Sequence, residues 1–267
     1  MKKFRVFSIM LLMVSTAAFI VFQVYIHQVQ DTVPPVVTCA SDTLTVNVES
    51  AEEELFRGVS AVDKRSGDVT DTLVIEKMSA FTEEGTRVIT YAAVDESKNV
   101  GRCERTLVYE GYEPPQFDLK APLSFPIGRN LVVANYITAS SVLDGNLSDN
   151  IKYTLEGSVN TMEEGVYPIE FRVMDSGGKN VYLLTEIEIY GREYMGIEVE
   201  LKDYLVYIKK GDKFDANKYY KGTDHDGDVS LKIDSNVNVK KEGVYQVDYI
   251  AYSGTLKGKS RLLVVVQ

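Results

Sequence analysis

The 267-residue sequence carries 29 Lys and Arg against 39 Asp and Glu, a net charge of −10, with 45% hydrophobic and 25% charged residues. That balance is ordinary for a folded chain and excludes a disordered, collagenous or disulfide-dense protein. Lys2, Lys3 and Arg5 precede the first acidic residue, Asp31, so the remainder holds 26 basic against 39 acidic residues, a net −13 that argues against nucleic acid or an anionic membrane face as the main partner.

Val6 to Ile26 is an uncharged run of 21 residues, which as a helix spans about 30 Å, the thickness of a bilayer core. The next Lys or Arg after Arg5 is Arg57, so the positive-inside bias places the amino terminus in the cytoplasm and the rest outside. The rival is a cleaved signal peptide ending at the small residues Ser15 to Ala18. Cleavage at Ala17 or Ala18 would leave the greasy Phe19 to Ile26 at the new terminus, and no small-x-small site follows. The run is therefore read as an uncleaved signal anchor within residues 1–30. Either way residues 31–267 are exported. Val37-Thr38-Cys39 is no lipobox, because its Cys lies well beyond the apolar run.

The exported part repeats itself. Glu83-Glu84-Gly85 recurs as Glu163-Glu164-Gly165 and Lys241-Glu242-Gly243, and Gly67-Asp68-Val69-Thr70 recurs as Gly145-Asn146-Leu147-Ser148 and Gly227-Asp228-Val229-Ser230. After each x-Glu-Gly turn apolar residues alternate with period two: Ile89, Tyr91 and Ala93; Tyr167, Ile169, Phe171 and Val173; Tyr245, Val247, Tyr249 and Ala251. The turn glycine suits a positive φ that a side chain would resist. Closing strands are expected at Arg105 to Tyr109, Leu183 to Tyr190 and Arg261 to Val266. Units of this length, with short strands and frequent turns, predict an all-β chain of three tandem antiparallel sandwiches at 31–110, 111–191 and 192–267. Short junctions, the first stiffened by Pro114-Pro115, predict a rod with little swing between units. With the last expected strand ending at Val266, a single amino-terminal anchor is expected to hold it.

The first unit resembles the bacterial immunoglobulin-like repeats related to the hyalin repeat and to the Ig-like repeat of pesticidal crystal proteins. Pro34-Pro35, Ala61-Val62-Asp63, Gly67 to Thr70, Gly85 to Asp95 and Asn99 carry that resemblance. The second unit keeps Pro114-Pro115, Asp144, Asp175 and Asn180. The third has no Pro-Pro lead-in and has Tyr252 and Ser253 where the others have Asp. The resemblance implies an Ig-like fold and is nearly silent on function, because such repeats serve as adhesins, spacers and accessory modules. It also implies a Cys39–Cys103 disulfide, since hyalin-type repeats place one Cys after Pro-Pro and another in the last strand. Two buried free thiols are the alternative.

Little catalytic chemistry is on offer. One His beyond residues 1–30, His225, two distant Cys and no glycine-rich phosphate loop supply neither a Ser-His-Asp set nor a zinc site. The chain is read as non-enzymatic and without an obligatory cofactor. Calcium is the one metal its acids suggest. Asp224, Asp226 and Asp228 alternate like calcium ligands but fail the EF-hand pattern, having Val229 where Gly and Ser235 where Glu belong. Asp95 and Asp175, each followed by a turn, could face Asp63 or Asp144. For both sets the plainer reading is an Asx-type turn. Tyr219 and Tyr220, between Lys218 and Lys221, are the aromatic candidates for stacking on a sugar, against the plainer reading of strand tyrosines. The expectation is a membrane-anchored surface interaction, adhesion or spacer protein whose partner is a surface protein or glycan. A carbohydrate- or cell-wall-binding module, calcium-assisted or not, is the alternative.

Overall fold

A computed structural model describes the backbone of residues 2–267 and the side chains of 4–25 and 30–267. The side chains of Lys2, Lys3 and Ile26, at the ends of the expected membrane run, lie outside that set. Helix α1 (Lys2–Val29) is the one α-helix among the described residues. Its segment Phe4–Tyr25 has a mean hydropathy of 2.2 and is long and apolar enough to cross a membrane.

The rest is β-structure in two compact units, one ending at Glu110 and the other Gly111–Gln267. In the first, β1 (Val36–Cys39), β3 (Val59–Asp63) and β4 (Gly67–Asp68) form one sheet. The facing sheet has the order β2 (Thr43–Asn47), β7 (Val100–Glu110), β6 (Thr86–Val94), β5 (Val74–Met78). The second unit runs this plan twice. Its first half has β8 (Gln116–Leu119), β10 (Ile137–Ser141) and β11 (Gly145–Asn146) in one sheet. Facing it are β9 (Ser124–Pro126), β14 (Asn180–Tyr190), β13 (Gly165–Met174) and β12 (Lys152–Leu155). Its second half pairs β15 (Val199–Leu201) with β17 (Tyr220–Thr223) opposite β16 (Leu205–Ile208), β20 (Leu256–Val266), β19 (Gly243–Ser253) and β18 (Ser230–Ser235). The fold is the expected Ig-like sandwich, with one addition. In each copy the edge strand β2, β9 or β16 runs parallel to the closing strand, where alternation alone had suggested purely antiparallel sheets.

The period-two faces point inward as expected. Ile89, Tyr91 and Ala93, then Ile169, Phe171 and Val173, then Val247, Tyr249 and Ala251 are buried. Tyr167 and Tyr245 lie at the strand starts with their hydroxyls donating to the Asn160 and Lys241 carbonyls at 3.1 and 2.8 Å. The turn glycine expected to be left-handed is so at Gly85 (φ 73°) and Gly243 (φ 151°) but not at Gly165. Gly67 (φ 79°) and Gly145 (φ 70°) take that conformation in the second marker, where each closes a tight hairpin. Each copy has its own apolar core, but in the second unit Leu205 and Leu263 from its second half are buried within the core of its first half. Burial of a leucine on that scale contributes about 1.5–3 kcal/mol, so the two halves hold each other.

Candidate functional site

Three carboxylates meet at one end of the first unit. Asp63 closes β3 opposite Gly67, and its Oδ1 accepts the amides of Arg65 and Ser66 at 2.7 and 2.6 Å. These backbone donors, Ser66 first, hold the Asp63 carboxyl below its usual range. Asp95 follows β6, and its two oxygens accept the Asn99 amide at 2.8 Å and the Asn99 side-chain amide at 2.7 Å. The same Asn99 Nδ2 donates to the Asp31 carbonyl at 3.1 Å, which fastens the lead-in chain to the turn. One oxygen from each of Asp31, Asp63 and Asp95 lies within 4.8 Å of the others, and Asp63 and Asp95 are each 3% exposed. Sequence reasoning had picked Asp63 and Asp95 but not Asp31, which sits in no local motif.

The second unit arranges the corresponding positions differently. Ser141 stands opposite Gly145 as Asp63 stands opposite Gly67, and its hydroxyl accepts the Leu143 amide at 3.0 Å. Asp144 therefore matches Ser66, and it reaches the following turn by accepting the Ser176 amide at 2.8 Å. Asp175 accepts the Lys179 amide at 2.9 Å and the Tyr112 hydroxyl at 2.6 Å, and Lys179 takes the place expected of Asn180. In the next copy Ser253 occupies the Asp95 position, with its Oγ 3.0 Å from His225 Nε2. Asp224 accepts the Glu198 amide at 2.7 Å, while Asp226 and Asp228 are exposed. Among the described residues, Asp31, Asp63 and Asp95 are the one trio of His, Cys, Asp or Glu placed to share an ion. The two cysteines are joined in a disulfide linking β1 to β7.

Tyr219 and Tyr220 are half-buried against the last core, and the Tyr219 ring stacks on Phe214 with centroids 5.7 Å apart. Lys221 is ion-paired with Glu200 at 2.8 Å. An open aromatic wall occurs elsewhere, in a groove of about 410 Å³ inside the second unit that Phe125, Arg129, Tyr136, Tyr190, Tyr194 and Lys259 help to line. Tyr190 meets Tyr194 edge-on at 6.1 Å, Phe125 meets Tyr136 at 4.8 Å, and Lys257 Nζ lies 5.8 Å from the Tyr194 ring centre. Burial pushes the Tyr190 hydroxyl up, against the charge of Arg129. The groove combines π-faces with cations and carboxylates, the equipment for a polar ligand with an apolar face. It escaped sequence reasoning because its rings come from four separate segments.

Residues 30–109 match the HYR domain. An uncharacterized 81.3 kDa protein of Acholeplasma phage L2 is 28% identical over 171 residues, 60% of this chain and 23% of that protein, so the chain spans about a quarter of that relative. Among solved structures, Drosophila N-cadherin EC1-3 aligns with 78% of this chain and 85% of its own at 12% identity and a TM-score of 0.31. The CBM51-2 and INT domains of Clostridium perfringens ZmpB, solved with GlcNAc, align with 87% of this chain and 42% of theirs at 11% identity and a TM-score of 0.23.

Proposed function

We propose that the chain, whose residues 30–109 match the HYR domain, is a non-catalytic surface interaction module, held in a membrane by α1 with its β-domains outside. The observation that carries this reading is the order of parts: an apolar 22-residue segment, Phe4–Tyr25, leads within a few residues into an Ig-like domain. Lys2 and Lys3 before it and Arg5 at its amino-terminal end support a cytoplasmic start. The disulfide supports an oxidising compartment. A non-catalytic role accords with the two cysteines being bound to each other, which leaves no free thiol nucleophile among the described residues. The test of the anchor is expression of the full chain in a bacterial host followed by carbonate washing. Retention in the membrane pellet at full mass is expected, with the β-domains cut by external protease. Release of a shortened chain would overturn the anchor.

The tyrosine-lined groove favours a second reading, carbohydrate binding, because rings can stack on a sugar while Arg129 and Glu198 hydrogen-bond its hydroxyls. Detergent-solubilised full chain is incubated with protease-treated cell envelopes, beside a Tyr194→Ala variant and a Tyr219→Ala/Tyr220→Ala variant. Loss of co-sedimentation with Tyr194→Ala alone supports a glycan site in the groove. Loss with the double variant moves the site to Tyr219 and Tyr220. Binding only to envelopes not treated with protease points to a protein partner and removes the carbohydrate reading.

A further inference from the structure

We infer that Asp31, Asp63 and Asp95 hold one divalent cation of the calcium class, which fastens the chain leaving α1 to the first β-domain. Three carboxylates put a formal charge of −3 in a space where one oxygen of each lies within 4.8 Å of the others. Two of the three are almost wholly shielded from water, so their repulsion is poorly screened. The Asp63 carboxylate adds an independent sign. Its Oδ1 is committed to the turn, and its Oδ2 is buried without a hydrogen-bond partner. A buried, ionised, unpartnered oxygen is costly unless a ligand completes it.

The corresponding positions in the second unit remove this problem without an ion. There Ser141 replaces Asp63, and the Tyr112 hydroxyl donates to Asp175 at 2.6 Å. In the last copy Ser253 replaces Asp95 and meets His225. Among the described residues, the copy that follows α1 is the one that keeps three acids together with a buried, unpartnered carboxylate oxygen. An all-oxygen donor set selects a hard cation over zinc or copper. Two ligands of one calcium ion, each at about 2.4 Å, can stand up to about 4.8 Å apart. Asp31 lies two residues beyond Val29, the end of α1, while Asp63 ends β3 and Asp95 directly follows β6. A shared ion would join all three segments. Lys64 and Arg65 line a recess of about 290 Å³ beside Asp31 and offset part of the negative charge. The expected affinity is therefore in the range of extracellular calcium modules, about 0.1–1 mM.

The test is calorimetric titration of calcium chloride into chelator-stripped full chain in detergent micelles, with magnesium chloride alongside and a thermal melt at each endpoint. One calcium per chain is expected, with a higher melting temperature and weaker binding of magnesium. Asp31→Asn and Asp63→Asn should each weaken calcium at least about tenfold; both keep the oxygen that accepts the local amide, so the turns persist. An Asp226→Asn/Asp228→Asn variant should bind as the parent does. No heat and no shift in melting at about 10 mM calcium would sink the proposal, as would unchanged binding by both Asp31→Asn and Asp63→Asn. If Asp63→Asn fails to fold, Asp31→Asn alone decides the matter, since Asp31 lies outside the strands.

Discussion

The hydroxyl of Tyr207 accepts the Phe117 amide at 3.0 Å and donates to the Phe117 carbonyl at 3.2 Å, so a side chain on β16 serves both backbone groups of a residue on β8. Phe117 is itself in the core, so those groups have no recourse to water. Tyr207→Phe should leave the pair unsatisfied and cost about 2 kcal/mol, read as a lower urea midpoint for the second unit.

Burial pushes the Tyr207 hydroxyl up to about 12, against the Phe117 hydrogen bond. Between the ordinary tyrosine value of about 10 and that figure, the unfolded chain has lost this proton and the folded chain keeps it, so stability falls as pH rises. Below that window the contribution is fully present. Tyr249, raised in the same direction by burial, adds to the loss. The alkaline decline should be shallower in Tyr207→Phe, measured by urea midpoints from pH 9 to 12; an identical slope would refute the assignment.

A buried set of ions joins the halves of the second unit a second time. Lys259 Nζ lies 2.6 Å from Glu188 and 3.3 Å from Asp248, and Arg261 reaches Asp248 at 2.6 Å and Glu188 at 3.1 Å. Ser124 donates to Glu188 at 2.6 Å. With two charges of each sign the set is neutral, and its side chains are 7% to 24% exposed. Arg261→Met should strand a carboxylate and cost about 3–5 kcal/mol, whereas Asp248→Leu/Arg261→Met should cost clearly less than the two singles together. Burial pushes the Asp248 carboxyl up, but the hydrogen bond and charge of Arg261, followed by Lys259, outweigh it and hold it below its usual range. That contribution is present above the ordinary carboxylate value and lost as pH falls through the lowered one. Asp248→Asn should flatten the acid limb of the stability curve.

These two links explain what the sequence could and could not convey. The strands were legible because alternation and the Gly67 and Gly145 markers are local, and so were Asp63, Asp95 and the short polar turns. Asp248 and Arg261 alternate with inward residues and read as solvent-facing; they are covered because the neighbouring half packs over them. Tyr207 sits in a strand of four residues, too short to show a face. Asp144 invited pairing with Asp63 because both precede a marker glycine, yet Asp63 lies four residues before Gly67 and Asp144 one before Gly145. Hairpin register, not residue type, separates them. Tyr219 and Tyr220 were legible as aromatics, but their burial depends on Phe214 and the last core.

The Cys39–Cys103 bond closes a loop with a sequence separation of 64. In the loop-entropy account, reduction should cost the first unit about 4 kcal/mol. The second unit contains no cysteine. Reductant should therefore lower one of two unfolding transitions, resolved by limited proteolysis at increasing urea. Equal loss in both would mean that the units unfold together.

Two glycines mark where a lead-in chain crosses a closing strand. A Cβ at Gly101 would stand 1.9 Å from the Pro35 carbonyl oxygen, and one at Gly258 would stand 2.0 Å from the Ile197 carbonyl oxygen. Gly101 pairs with Ala93 and Gly258 with Ala251; the same register in the middle copy pairs Val181 with Val173, so a full side chain is accommodated there. Relief of either clash must move backbone, and Gly101→Ala or Gly258→Ala should each cost about 1–3 kcal/mol. The second substitution has a further consequence. Ile197, Gly196 and Tyr194 all line the tyrosine groove, and the Gly196 and Ile197 amides donate to the Lys257 carbonyl at 2.9 and 3.1 Å. Pushing Ile197 away from Gly258 displaces that wall of the groove. Gly258→Ala should thus weaken envelope binding at the groove while Gly101→Ala, with an equal loss of stability in the other unit, leaves it unchanged, which separates a shaped site from a general effect of destabilisation.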